Sequence, residues 1–123
     1  MVGISLSYAT LGIDAYQISV ESDRGSGNLF MVNIVGMATN AVKESKDRVF
    51  AAIKNSGYDS ASVRYTINLA PADIKKDSSA LDLPIAVAVL QSNRELKTTD
   101  YRKIGIIGEL SLDGNVRPVS GVL

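Results

Sequence analysis

The sequence predicts an α+β fold in which a mixed sheet carries two helices on one face. Apolar and polar residues alternate over 2–8 and 61–70, which is the period of half-buried strands. Apolar residues recur at helical spacing over 39–57, and 80–91 is a nearly continuous apolar run. The patterns follow the order β-β-β-α-β-α-β-β. With 123 residues and 46% hydrophobic content, we expect a single domain, 1–123.

Strand patterns fill the first third of the chain. The alternation over 13–22 slips in phase near Tyr16, which predicts a β-bulge or two shorter pieces. Residues 23–28, DRGSGN, predict a turn. The dense apolar segment 29–36, LFMVNIVG, predicts a strand in the centre of the sheet.

The first helix has recognisable ends. Thr39 or Asn40 can cap its start, and Gly57 suits a left-handed stop. Glu44 and Arg48 are spaced as a favourable i,i+4 ion pair. Its buried face is expected to comprise Val42, Val49, Phe50 and Ile53.

The second helix is bounded by a proline. Because proline is tolerated only in the first turn of a helix, the helix should begin within about four residues before Pro84. Ser79 or Asp82 can cap it, and a carboxylate at Asp82 also suits the positive end of the helix dipole.

The last elements are a buried strand over 104–110 and a hairpin built on Asp113-Gly114. Glu109 and Asp113 near this hairpin are interpreted as a strand-edge charge and a turn residue. The alternative is a site where their carboxylates bind a metal ion.

Composition excludes several function classes. The chain contains neither Cys nor His, so Ser–His and Cys–His catalysis and the commonest zinc ligands are absent. Lys plus Arg equals Asp plus Glu at 13 each, which argues against nucleic acid as the main partner of this domain. No signal peptide and no membrane-spanning segment is evident, so a cytoplasmic location is expected.

Ser79 has two interpretations. It can be part of the capped start of a buried helix, which explains every residue of the segment. It can also be a nucleophile at a helix N-terminus, where free N–H groups hold an oxyanion. Without histidine its base would have to be Lys75 or Lys76, and both are expected on a solvated loop.

Basic residues near one end of the second helix form a candidate surface for DNA or a protein partner. The candidates are Lys75, Lys76, Arg94 and Arg117, with Arg102 and Lys103 near them. The alternative is that these are scattered, solvated charges. No G-x-x-x-x-G-K-[ST] phosphate-binding motif occurs, and RGSGN at 24–28 is interpreted as a turn.

Three long segments carry a resemblance to a known family. They are NLAPADIKKDSSALDLPIAVAVL at 68–90, NIVGMATNAVKESKDRVFAAIKNSGYD at 33–59 and IGIIGELSLDGNVRPVSGVL at 104–123. Together they resemble the N-terminal Lon-protease-like domain of magnesium-chelatase-like AAA+ proteins, the ComM/YifB family. The resemblance implies the fold of the second domain of ribosomal protein S5.

The resemblance also bears on catalysis. Active Lon proteases carry a serine just before the second helix and a lysine after the closing hairpin. Ser79 takes the serine position and Leu123 takes the lysine position. Because leucine cannot accept a proton, the resemblance implies a degenerate, non-catalytic dyad.

The implied function is that of an accessory and assembly domain, with no cofactor of its own. In the family, a following AAA+ module binds ATP and Mg, neighbouring subunits form a hexameric ring, and the ring acts on DNA in natural transformation and branch migration. The chain is therefore expected to be a piece of a longer protein, without a membrane partner. The alternative is a residual Ser–Lys peptidase or esterase that uses Ser79.

Overall fold

A computed structural model describes residues 2–11, 13–59, 62–96 and 103–119. The strands are β1 Val2–Leu11, β2 Asp14–Arg24, β3 Met31–Val35, β4 Arg64–Ala70, β5 Glu109–Leu110 and β6 Val116–Arg117. The helices are α1 Asn40–Lys43, α2 Ser45–Asn55 and α3 Asp82–Ser92, with a 3-10 turn at Ser79–Leu81 before α3.

Four strands form one mixed sheet in the order β1-β2-β4-β3. The β1–β2 and β2–β4 pairs are antiparallel, whereas β3 and β4 are parallel. Gly105 adds a single parallel bridge to Leu6 on β1, and β5 and β6 form a separate hairpin. The predicted α+β class with a mixed sheet is confirmed.

The two main helices pack on the same face of the sheet, as predicted. The inward side chains of β2, β3 and β4 join those of α2 and α3 in one hydrophobic core. The Phe50 ring on α2 lies 5.2 Å from the Tyr65 ring on β4. Within the described residues, no helix combines the length and the apolar composition that crossing a bilayer requires.

Strand β1 meets α3 through small residues. Gly3, Ser5 and Ser7 are buried on the helix side of the strand. A Cβ atom on Gly3 would lie 2.0 Å from the carbonyl oxygen of Ala88, so only glycine allows this approach of helix and strand. The Ser5 hydroxyl donates a hydrogen bond of 2.6 Å to the carbonyl oxygen of Pro84.

Two strand predictions are wrong. No bulge occurs near Tyr16, because β1 and β2 pair in unbroken register from Val2↔Asp23 to Leu11↔Asp14. The phase slip arises because Ile13 lies in the turn and Ala15 is exposed, so that among the apolar residues of 13–22 only Ile18 and Val20 mark the buried face of β2. Strand β3 lies at the edge of the described sheet and not at its centre.

Three further elements differ from the sequence-based expectation. The first helix is divided at Glu44 into α1 and α2, and it ends as predicted at Gly57, whose φ is +91°. Thr39 occupies the N-cap position, but its hydroxyl bonds Asp77 at 2.8 Å. Within 104–110, only Glu109–Leu110 forms a strand, and it pairs across the predicted Asp113-Gly114 turn.

Candidate functional site at the start of helix α3

Ser79 lies at the junction between the 3-10 turn and the β5–β6 hairpin. Its hydroxyl donates a 3.0 Å hydrogen bond to Oε2 of Glu109. The neighbouring Ser78, rather than Ser79 or Asp82, caps the turn by accepting a 3.1 Å bond from the backbone N–H of Ala80. Glu109 is therefore the acceptor for the Ser79 hydroxyl, and the expectation that only a lysine could serve is wrong.

The backbone N–H groups around Ser79 are already engaged. After Ala80, the N–H of Leu81 points to the carbonyl of Ser78 at 3.4 Å and that of Asp82 to the carbonyl of Ser79. The N–H of Leu83 donates to Gly108 at 2.9 Å. An oxyanion hole needs preorganised donors that are free to receive the reacting oxygen. Four consecutive donors at this helix start are committed to the fold instead.

Lys76 is a structural residue and not a solvated cation. Only 1% of its surface is exposed, so its expected place in a basic surface patch is wrong. Its Nζ donates to the carbonyl oxygens of Gly36, at 2.7 Å, and Pro71. Burial lowers the pKa of the Lys76 ammonium, and the charge of Asp73 partly offsets this effect. Because Nζ is held by these carbonyls, it is not directed to Ser79 as a base.

Replacing Lys76 with methionine should lower the free energy of unfolding by about 2 kcal/mol, because two carbonyl oxygens lose their donor. The matched variant is Lys75→Met, which changes an exposed side chain and should cost less than about 0.5 kcal/mol. Urea unfolding of both variants measures the difference. Equal losses of stability would contradict the structural role of Lys76.

The other predicted cations do not converge with Lys76. Arg94 follows the C-terminus of α3, where Asn93 accepts a bond from the Tyr65 hydroxyl at the start of β4. Lys76 instead contacts Pro71, just beyond the end of β4 and about 20 Å from Tyr65 at the rise of a strand. The expected edge that joins Lys75, Lys76 and Arg94 is therefore wrong.

The remaining basic candidates lie at the surface. Lys75, Arg94, Lys103 and Arg117 have exposed side chains. Arg102 and the Leu123 position lie outside the described residues. Each of these exposed cations remains a predicted contact.

A buried ion pair links the two helices next to Ser79. The Arg48 guanidinium on α2 makes two hydrogen bonds to the Asp82 carboxylate, Nε to Oδ2 at 2.7 Å and Nη2 to Oδ1 at 3.1 Å. Asp82 is fully buried and also accepts a 3.1 Å bond from the backbone N–H of Leu110. Hydrogen bonding to Asp82 raises the pKa of Arg48, and Glu44, the predicted partner, adds only a minor charge effect.

Asp113 acts as a turn residue, as the first interpretation has it. Its carboxylate accepts bonds from Ser111 and from the backbone N–H of Asn115. These bonds, led by that of the Ser111 hydroxyl, lower the pKa of Asp113. Among the described residues, no three acidic side chains come close enough to bind a metal ion together.

Comparison of the sequence with known proteins places this chain in a family. The sequence profile of the family described as subunit ChlI of Mg-chelatase matches residues 20–123, which is most of the chain. The chain belongs to the magnesium-chelatase-like ChlI family. It is 42% identical to YifB of Salmonella typhimurium over 115 residues, 94% of this chain. It is 34% identical to competence protein ComM of Haemophilus influenzae over 122 residues, 99% of this chain.

The ChlI-family relatives are much longer than this chain. The aligned regions cover 22% of YifB and 24% of ComM. The chain therefore corresponds to about a quarter of each relative. The sequence contains no phosphate-binding motif of the P-loop type.

Proposed function

We propose that the chain is a non-catalytic accessory domain of a ring-forming, magnesium-chelatase-like AAA+ ATPase. Membership of the ChlI family and the coverage of about a quarter of each relative support this proposal. ATP and Mg²⁺ are assigned to another module of the longer protein. The mixed sheet with two helices on one face is compatible with the S5-like, Lon-protease-like fold that the sequence resembles.

The observation that carries the proposal is the environment of Ser79. The backbone donors from Ala80 to Leu83 are bonded within the fold, and Lys76 is held by carbonyl oxygens. A serine protease needs an activating base and free oxyanion donors in the same place. Here the backbone donors instead stabilise the junction of the 3-10 turn, α3 and the hairpin. Their role is therefore structural.

We further propose that the longer protein acts on DNA in the cytoplasm and that this domain contacts neighbouring subunits or guides the DNA. The name of the ComM relative, a competence protein, supports a link to DNA uptake. Lys75, Arg94 and Arg117 remain candidate contacts because their side chains are exposed. Such contacts would be electrostatic and would weaken as salt is raised.

A residual hydrolase is the alternative, and one observation favours it. The carboxylate of Glu109 is within hydrogen-bonding distance of the Ser79 hydroxyl, so a proton acceptor is present although it is not a lysine. A carboxylate can act as a general base where it is suitably placed.

A serine-reactive fluorophosphonate probe separates the two functions. We expect the chain to be labelled no more than its Ser79→Ala variant, because the oxyanion donors are occupied. Intact-mass spectrometry measures the labelling, with Glu109→Gln as the matched variant. One label per chain that disappears in both Ser79→Ala and Glu109→Gln would establish the hydrolase and overturn the accessory function.

A further inference from the structure

The free edge of β3 is unusually apolar for a surface strand. Residues 29–37, LFMVNIVGM, contain no charged side chain. Leu29, Phe30, Met31 and Val35 are exposed by 69%, 46%, 39% and 46%. Exposed sheet edges are usually protected by charges, prolines or bulges, because they pair with other strands. Among the described residues, no strand pairs with the outer edge of β3.

The backbone of β3 fixes which groups are available for pairing. The N–H of Met31 points toward β4, where it meets the carbonyl oxygen of Val63 at 3.4 Å. Because backbone groups alternate in direction along a strand, Asn33 and Val35 also bond to β4. The N–H and C=O groups of Val32 and Ile34 therefore point away from the sheet, toward the free edge.

From this edge we infer that two copies of the chain associate through β3, which pairs antiparallel with β3 of the second copy. The pairing that matches the whole strand Met31–Val35 with itself has Asn33 at the two-fold axis. Val32 then faces Ile34 of the second copy in a hydrogen-bonded pair, and the reverse pair follows by symmetry. This register uses every free backbone group of the strand.

The side chains beside this edge are self-complementary, which favours a second copy as the partner. A groove of about 480 Å³ next to β3 is lined by Asn33 and Phe30, and by Lys46, Asp47 and Phe50 of α2. In a two-fold contact, a residue that meets a different residue of the second copy is matched by the reverse pair, so the patch on one copy must contain both members of each pair. Lys46 of one copy can meet Asp47 of the other, twice, and the Asn33 amides can donate to and accept from each other.

Cysteine cross-linking tests the register directly, because the chain contains no cysteine of its own. Two Asn33 positions in a non-hydrogen-bonded antiparallel pair have Cα atoms about 4.5 Å apart, within the range of a disulfide. With the oxidant diamide, Asn33→Cys should form covalent dimers at least about ten times faster than Asp23→Cys, an exposed control on β2.

Exchanging the charges of Lys46 and Asp47 tests whether the partner is a second copy of the chain. Sedimentation analysis of the unmodified chain should show mass rising above 13.1 kDa with concentration. Lys46→Asp should weaken dimerisation about tenfold, because each copy then presents two acidic residues to two others. The double variant Lys46→Asp with Asp47→Lys should restore it to within about threefold. Circular dichroism verifies that each variant is folded.

Two results would overturn the inference. One is a monomeric mass at about 100 µM, a concentration that would populate a dimer with a Kd of about 10 µM. The other is equal cross-linking of Asn33→Cys and Asp23→Cys. Either result would leave the edge of β3 to a segment of a longer polypeptide or to a different protein.

Discussion

Replacing Asp82 with alanine is expected to lower the free energy of unfolding by about 3–5 kcal/mol, because the change leaves one member of a buried ion pair without its partner. Asp82 is fully buried, and its carboxylate accepts bonds from Arg48 and from the backbone N–H of Leu110. The variant therefore leaves the Arg48 guanidinium without its carboxylate partner and the backbone N–H of Leu110 without its acceptor.

Urea unfolding followed by circular dichroism measures this loss. The control is Asp59→Ala, which removes an exposed carboxylate after α2 and should cost less than about 0.5 kcal/mol. A double variant, Arg48→Met with Asp82→Leu, should recover part of the stability, because neither charge then remains to be desolvated. If Asp82→Ala cost no more than Asp59→Ala, Asp82 would not hold α2, α3 and the hairpin together.

Replacing Gly36 with alanine should lower the free energy of unfolding by about 2–5 kcal/mol. Gly36 has a φ of +106°, a conformation that costs an L-residue about 1–2 kcal/mol. An added Cβ atom would also lie 2.0 Å from the carbonyl oxygen of Leu69, and relieving such overpacking costs about 1–3 kcal/mol.

The chain provides a close control for this substitution. Gly27 has the same φ of +106°, but a Cβ atom there would meet nothing within 4 Å. Gly27→Ala should therefore cost only the conformational part, about 1–2 kcal/mol. Thermal and urea unfolding of both variants isolates the steric part. Equal losses of stability in the two variants would mean that the backbone at Leu69 on β4 shifts to accept the added Cβ atom without cost.

Local sequence signals predicted much of the fold. Pro84 placed the start of α3 correctly, since it lies in the first turn of Asp82–Ser92. Gly57 marked the end of α2, and Asp113-Gly114 marked the hairpin. In each case the chemistry of one or two adjacent residues determines the local backbone, so no knowledge of distant contacts is required.

The predictions failed where distant contacts decide the outcome. The loop sequence around Lys76 contains nothing to indicate that its amine bonds Gly36, 40 residues earlier. Likewise, Glu109 lies 30 residues after Ser79, so their hydrogen bond has no local signal. The apolar run of β3 was predicted to lie in the centre of the sheet, whereas β3 lies at the edge of the described sheet. Tertiary packing, which a single sequence does not display, determines all three.

The close fit between β1 and α3 reverses the usual relation between polarity and burial. Serine at positions 5 and 7 and glycine at position 3 are buried, and at position 3 the volume of a side chain rather than its hydropathy limits what this strand can carry. A redesign that made β1 more apolar, with valine at position 3, would push α3 away from the sheet. The more apolar strand would give the less stable protein.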